Sequence, residues 1–185
     1  MKPKILTLGL AAILSATLSF AQTDGDEWHQ VSSADGMATV MFPVPLDPEK
    51  VDEFETKIPG GKGVTKKLIH RDDNSMFSIS GTEFHGMAKL KGVDAILERA
   101  RAEIISRDNA RQISFEAASG FTDPKVMLLK YEIAETKFDG FAVLFLINKK
   151  LYVIDSQLKQ DSSSTAREKI EEDQARLLQS LKIAS

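Results

Sequence analysis

Phe138-Asp139-Gly140-Phe141-Ala142-Val143-Leu144-Phe145-Leu146-Ile147, a polar break at Asn148-Lys149-Lys150, and then Leu151-Tyr152-Val153-Ile154-Asp155-Ser156-Gln157-Leu158 form the stretch on which the fold turns. From Phe141 to Ile147 no side chain is polar, which is the composition of a strand covered on both faces rather than one with a wet side. Asn148-Lys149-Lys150 supplies a hairpin turn into the second strand. The pair therefore sits inside a sheet that needs a cover above and below.

Working outward, Lys125 to Ala134 alternates Met127, Leu129, Tyr131 and Ile133 with more polar positions, and Gln112 to Ala117 is a further strand candidate. Upstream of these the period changes. Val93, Leu97, Ala100 and Ile104 fall on one helical stripe that Ile96 broadens, with Glu98, Arg99, Arg101 and Glu103 on the wet side. Asp94 suits the start of this helix, and Arg107-Asp108-Asn109 ends it. Before the helix, Val64 to Ile69 and Ser75 to Phe84 read as a hairpin joined by Arg71-Asp72-Asp73-Asn74. In its second strand Phe77, Ile79, Gly81 and Glu83 face one way, and Met76, Ser78, Ser80, Thr82 and Phe84 the other.

Closer to the start, Val51 to Ile58 is a charged, loosely alternating edge strand, followed by the loop Pro59-Gly60-Gly61-Lys62-Gly63. Trp28 to Val31 and Ala38 to Phe42 are short strands around an Ala34-Asp35-Gly36 turn, and Pro43, Pro45 and Pro48 stop the second. At the far end, Thr165 and Glu168 form a capping box ahead of a stripe of Ala166, Ile170, Gln174, Leu177 and Leu181. Two amphipathic helices and a strand needing cover on both faces predict an α+β fold: a single antiparallel β-sheet flanked by a helix on each face.

The first segment reads as an address. Lys2 and Lys4 precede an uncharged run from Ile5 to Leu18, and Ser19-Phe20-Ala21 carries small residues where signal peptidase reads them. The uncharged run falls short of the roughly 20 apolar residues of a spanning helix. We expect residues 1–21 to be a signal peptide cut after Ala21, residues 22–27 a flexible N-terminus, and residues 28–185 a single α+β domain. The destination is then periplasmic or secreted, with no stable membrane insertion after cleavage.

Composition narrows the chemistry. The chain has 185 residues, 42 % of them hydrophobic and 28 % charged, which are globular values. It has no cysteine, so disulfides, thiolate metal clusters and cysteine nucleophiles are excluded. With 24 basic against 27 acidic residues the net charge is −3, which gives a nucleic-acid partner no electrostatic support.

The order of elements resembles the PsbP-like fold, shared by an extrinsic photosystem II subunit, by Ran-binding nuclear-import factors and by many exported bacterial proteins. The resemblance lies in the Trp28-led strand, the Val40-Met41-Phe42-Pro43 stop, the Asp139-Gly140-Phe141 to Leu151-Tyr152 block, and the closing Leu177 to Ile183 segment. It implies a fold and a habit of acting by binding, and it carries no common active site.

Tested residue by residue, the sequence gives no catalytic, cofactor-binding or metal-ligating assignment. His29, His70, His85, Asp72, Asp73 and Glu83 are the metal-ligand candidates. Pairing Arg71 with Ser75 or Met76, however, sets His85 opposite Gly61 or Lys62, roughly 25 Å along the ladder from His70. Ser80-Gly81 and Ser119-Gly120 sit at no nucleophile elbow. Glu83, Glu116, Glu132 and Asp155 are strand carboxylates expected on a wet face. Gly60 to Gly63 suits a hairpin loop better than an anion nest. Met37, Met41, Met76, Met87 and Met127 are expected to fill gaps in the core, and Trp28 to staple a sheet edge. Lys66, Lys67 and Arg71 read as exposed protection against edge pairing.

The resulting expectation is a non-enzymatic binding or assembly module of the cell envelope, partnered by a protein or small ligand and using no cofactor. Two alternatives stand beside it. One is a hydrolase whose site is assembled in space, in a deep pocket where at least two of His70, His85, Glu83, Asp72 and Ser80 converge within hydrogen-bond reach. The other is a structural protein self-associating through Val51 to Ile58.

Overall fold

The computed structural model describes residues 27–58, 61–85, 92–160 and 164–184. The signal peptide expected over residues 1–21, the connection from Gly86 to residue 91, and Met87 lie outside them, as does the side chain of Thr165 in the capping box.

The elements run β1 (His29–Ser32), β2 (Ala38–Phe42), β3 (Val51–Ile58), β4 (Gly61–Arg71), β5 (Ser75–His85), α1 (Gly92–Arg107), β6 (Arg111–Ala117), β7 (Val126–Ile133), β8 (Phe138–Ile147), β9 (Lys150–Lys159), α2 (Ser164–Ser180) and β10 (Lys182–Ile183). Seven of the strands form one antiparallel sheet in the order β3-β4-β5-β9-β8-β7-β6. Its centre is the β8–β9 hairpin together with β5. Ile147 pairs with Lys150 across a two-residue turn, with Asn148 and Lys149 at φ 49° and 64°. Both positive angles give the right-handed twist that a tight hairpin needs.

The expected single sheet is corrected by a second one. β1, β2 and β10 form a separate three-stranded sheet, β1-β2-β10, in which the two-residue β10 pairs with β2 after α2 has returned. The proline-rich segment after Phe42 turns the chain away, so β1 and β2 never join the large ladder. Instead Val31, Val40 and Phe42 pack with Leu177 and Leu181 onto Phe77, Val143, Phe145 and Ile154. One face of the large sheet is thus covered by the small sheet and α2 together. The other face is covered by α1, through Ile96, Leu97, Ala100 and Ile104 against Leu129, Tyr131, Ala142, Leu144 and Leu151.

Trp28 is buried in the first of these cores, under the Arg176 guanidinium at 4.4 Å from the ring. Met37 and Met41 pack beside that core, and Met127 beside the other. Val93 departs from its expected stripe and is 42 % exposed, so Ile96 takes the first buried position of α1.

Two glycines let the sheet accept its large aromatics. Gly140 pairs with Tyr131, whose ring occupies the space a Cβ on Gly140 would need. On the opposite face Gly81 pairs with Tyr152, whose Cε1 would lie 3.1 Å from such a Cβ. Each ring lies flat over backbone, filling the face without a neighbouring side chain.

The two sheets are joined at the β1–β2 turn. Tyr152 Oη donates to Asp35 Oδ2 at 2.7 Å, Lys150 Nζ lies 3.2 Å from the same oxygen, and Ser33 Oγ donates to Asp35 Oδ1 at 2.8 Å. Burial alone would raise the Asp35 carboxyl. The Tyr152 and Ser33 hydroxyls, the Met37 amide and Lys150 outweigh it and hold the group at about 2.

Candidate functional site

The buried side chains of α1 reach β7, β8 and β9 but leave the outer half of the same sheet face uncovered. The result is a cleft of about 570 Å³ between α1 and strands β3, β4, β5 and β9. Alternation decides its floor. Thr65, Lys67 and Ile69 of β4, Ser78, Ser80 and Thr82 of β5, and Val153, Asp155 and Gln157 of β9 all point to the α1 side. Where a closed core would carry Leu or Ile, β5 carries three small hydroxyl residues, and the floor is correspondingly low. Ile96, Arg99, Ala100, Glu103, Ile104 and Arg107 make the α1 wall.

The hydroxyls are organised rather than idle. Thr65 Oγ1 lies 2.6 Å from Thr56 Oγ1 and 2.8 Å from Thr82 Oγ1, a hydroxyl row across three strands. Ser80 Oγ donates to the Val153 carbonyl at 3.3 Å. Register sets three rows across the floor: Phe54–Thr65–Thr82–Leu151, Asp52–Lys67–Ser80–Val153, and Ile69–Ser78–Asp155.

At one end of the cleft a polar cluster is sealed into the sheet. Asp155 is 2 % exposed. Tyr131 Oη donates to Asp155 Oδ1 at 2.7 Å, and Gln157 Nε2 donates to Tyr131 Oη at 2.9 Å and to Asp108 Oδ2 at 3.0 Å. Arg107 donates through Nε and Nη2 to both Asp108 oxygens at 2.7 Å each, and its Nη2 lies 3.4 Å from Asp155 Oδ2. The α1 C-terminus thereby closes this end of the cleft onto β9.

Burial raises the Asp155 carboxyl above its ordinary range, against the Tyr131 hydrogen bond and the charges of Arg107 and Lys67. Burial also raises the Tyr131 hydroxyl, with the adjacent Asp155 acting the same way. Lys67 is pushed down by burial, which Asp155 partly offsets. Among the described residues Lys67 has no ion-pair partner within 4.0 Å. It stands out because Lys62 pairs with Glu55 at 2.6 Å and Lys66 with Glu53 at 3.3 Å.

The residues expected from sequence are mostly elsewhere. Lys62 pairs with His85 and Arg71 with Met76, so the register is the one the hairpin implied, and His70 and His85 stand at opposite ends of β4–β5. His70 Nε2 lies 3.2 Å from Asp72 Oδ2 beside the turn, where Asp72 Oδ1 also accepts from the Asn74 and Ser75 amides. Asp73 is an exposed turn residue, and His29 lies in the small sheet. Glu83 faces the other side of the sheet, 3.4 Å from Lys150. Of the five residues of the assembled-hydrolase expectation, Ser80 alone lines the cleft. Among the described residues no group of three His, Asp or Glu could hold a metal ion.

Three expectations are corrected. Gly61, Lys62 and Gly63 belong to β4 rather than to a loop, because they continue the pairing with β3 and β5. Lys66 and Lys67 are not one exposed patch, because neighbours on a strand point to opposite faces and β4 is an inner strand. Asp155 is not on a wet face, whereas Glu116 is exposed and Glu132 pairs with Arg111 at 2.6 Å. Lys67, Arg107, Asp108, Tyr131 and Gln157 carried no motif. The signal for Asp155 and Gln157 was their place in a strand whose hairpin partner is apolar on both faces, where a carboxylate must be buried and must find donors.

No protein-family model matches the chain, and no curated protein is similar to it. Among the described residues no helix is long and apolar enough to cross a membrane. A solved structure is similar: the solution structure of cyanobacterial PsbP (CyanoP) from Synechocystis sp. PCC 6803. It matches at a TM-score of 0.53 and 12 % identity, over 90 % of this chain and 99 % of that one. With its large antiparallel sheet, α1 and α2, and this likeness along nearly the whole of both chains, the protein has the PsbP-like fold.

Proposed function

We propose that this protein is an exported, non-enzymatic binding module of the cell envelope, and that its ligand sits in the cleft between α1 and strands β3, β4, β5 and β9. The observation that carries the reading is the low hydroxyl floor of β5 beneath the mixed apolar and charged wall of α1. It leaves about 570 Å³ open where the same sheet face is otherwise closed by packing. That volume lies in the range of roughly 300–1,000 Å³ common to small-molecule sites. Export rests on the Lys2, Lys4, Ile5 to Leu18 and Ser19-Phe20-Ala21 pattern.

The test is titration with Nile red, a neutral apolar dye, against wild type and Ser80→Leu. The reading expects one dye per chain and loss of binding when the added leucine fills the floor. Equal binding by both proteins would contradict it.

A second reading, a hydrolase, is favoured by one observation: Asp155 and Lys67 share the cleft and are pushed in opposite directions, each toward its neutral form. It predicts turnover of a simple ester, phosphate or glycoside that Asp155→Asn abolishes. The non-enzymatic reading predicts none.

A further inference from the structure

Resting on the reading of the cleft as a binding site, we infer that its ligand class is an amphipathic monocarboxylate: an acid with an apolar body, its carboxylate seated against Lys67. The floor is graded along the strands. At one end Phe54, Phe84, Ile96 and Leu151 surround the Thr65–Thr82 row, and at the other lie Ser78, Asp155 and Arg107. The Thr82 and Ser78 rows are four residues apart on β5, roughly 13 Å at the strand rise. That gives the apolar body one end of the cleft and lets the head point toward the other.

Lys67 lies on the row between them, half-buried and opposite Asp52 and Ser80, and no described residue forms an ion pair with it within 4.0 Å. The neighbouring charges are accounted for. Arg107 holds Asp108 through two hydrogen bonds, and Asp155 accepts from Tyr131. Arg71 and Arg99 are exposed at the rim, and Asp52 stands across from Lys67 on β3 without forming an ion pair with it within 4.0 Å. Lys67 is therefore the half-buried lysine of the cleft that, among the described residues, no carboxylate approaches within 4.0 Å, although Asp155 acts on it from farther off. An ammonium drawn from water gains most from an anionic oxygen brought to it. At the Lys67 row a cationic head would face the ammonium, and a neutral one would leave it without an ion pair.

Calorimetric titration of the purified protein with decanoate, decanol and decyltrimethylammonium, each repeated on Lys67→Met, tests this. The methionine keeps the stem and removes the charge. Decanoate is expected to bind wild type about ten- to hundredfold more tightly than decanol, the fold-change of one charge-assisted hydrogen bond. Lys67→Met should abolish that advantage while leaving decanol affinity unchanged, and decyltrimethylammonium should not bind. If decanol binds as tightly as decanoate and Lys67→Met changes neither, the carboxylate assignment is overturned while the cleft reading stands. If no compound binds, or Ser80→Leu leaves binding intact, both fall.

Discussion

Tyr131 Oη donates to Asp155 Oδ1 at 2.7 Å from beneath the end of α1, joining β7 to β9 across the intervening β8. Asp155 has this one short hydrogen bond and a 3.4 Å approach from Arg107. Tyr131→Phe therefore leaves a buried carboxylate short of its donor and Gln157 short of an acceptor. We expect a loss of about 1–3 kcal/mol in urea unfolding. A loss below about 0.5 kcal/mol would show that the pair does not hold this end of the sheet.

The same carboxyl gives a pH signature. Its folded-state value lies above the ordinary 3.8, so between the two values the folded chain binds more protons than the unfolded one. Stability therefore falls as pH rises through that window. Asp155→Asn has no such group, so the variant should gain on wild type from about pH 4 upward and then level off. Unfolding both proteins between pH 4 and 8 checks this, and a wild-type advantage growing with pH would contradict it.

Asp35 behaves in the opposite sense. Its carboxyl is held at about 2 against an ordinary 3.8, so the stability it contributes is complete above 3.8 and is lost as pH falls toward 2. Acid should loosen the small sheet from the large one in that window. Tyr152→Phe and Asp35→Asn should each flatten the wild-type stability loss between pH 4 and 2, followed by tyrosine fluorescence and urea midpoints.

The two aromatic-over-glycine pairs differ in tightness. Gly140→Ala drives a methyl into the Tyr131 ring and should cost about 3 kcal/mol, the upper range for overpacking. Gly81→Ala meets only the 3.1 Å edge of the Tyr152 ring and should stay within about 1 kcal/mol of wild type. Equal costs would mean that the Tyr131 ring is free to move aside.

Much of this architecture was legible in the residues. The all-apolar run from Phe141 to Ile147 announced cover on both faces, and the turn at Arg71 to Asn74 fixed the β4–β5 register. What escaped were features with no local period. β10 is two residues long, so no pattern could reveal it or the separate sheet it completes. The cleft escaped for a related reason. Ser78, Ser80 and Thr82 read as an ordinary wet strand face, and only the placement of α1 over β7, β8 and β9 turns that face into a floor. Lys67 needed the strand alternation to be carried through a pair of adjacent lysines.

The cleft can also be closed deliberately. Ser80→Leu places a branched apolar side chain against Ile96 and Val153 on the open floor. We expect a gain on the order of 1 kcal/mol from the added buried methyl groups, together with loss of ligand binding. A variant that loses stability would mean that the floor is already filled by its own side chains.

Where a ligand touches the protein decides whether the cleft is its site. Amide chemical-shift mapping with decanoate and, separately, decanol should move the signals of Lys67, Ser80, Thr82, Ile96 and Arg107 and leave those of Asp35, Val64 and Glu83 on the opposite face in place. Shifts confined to that opposite face, or none from either compound at saturation, would contradict the assignment of the cleft.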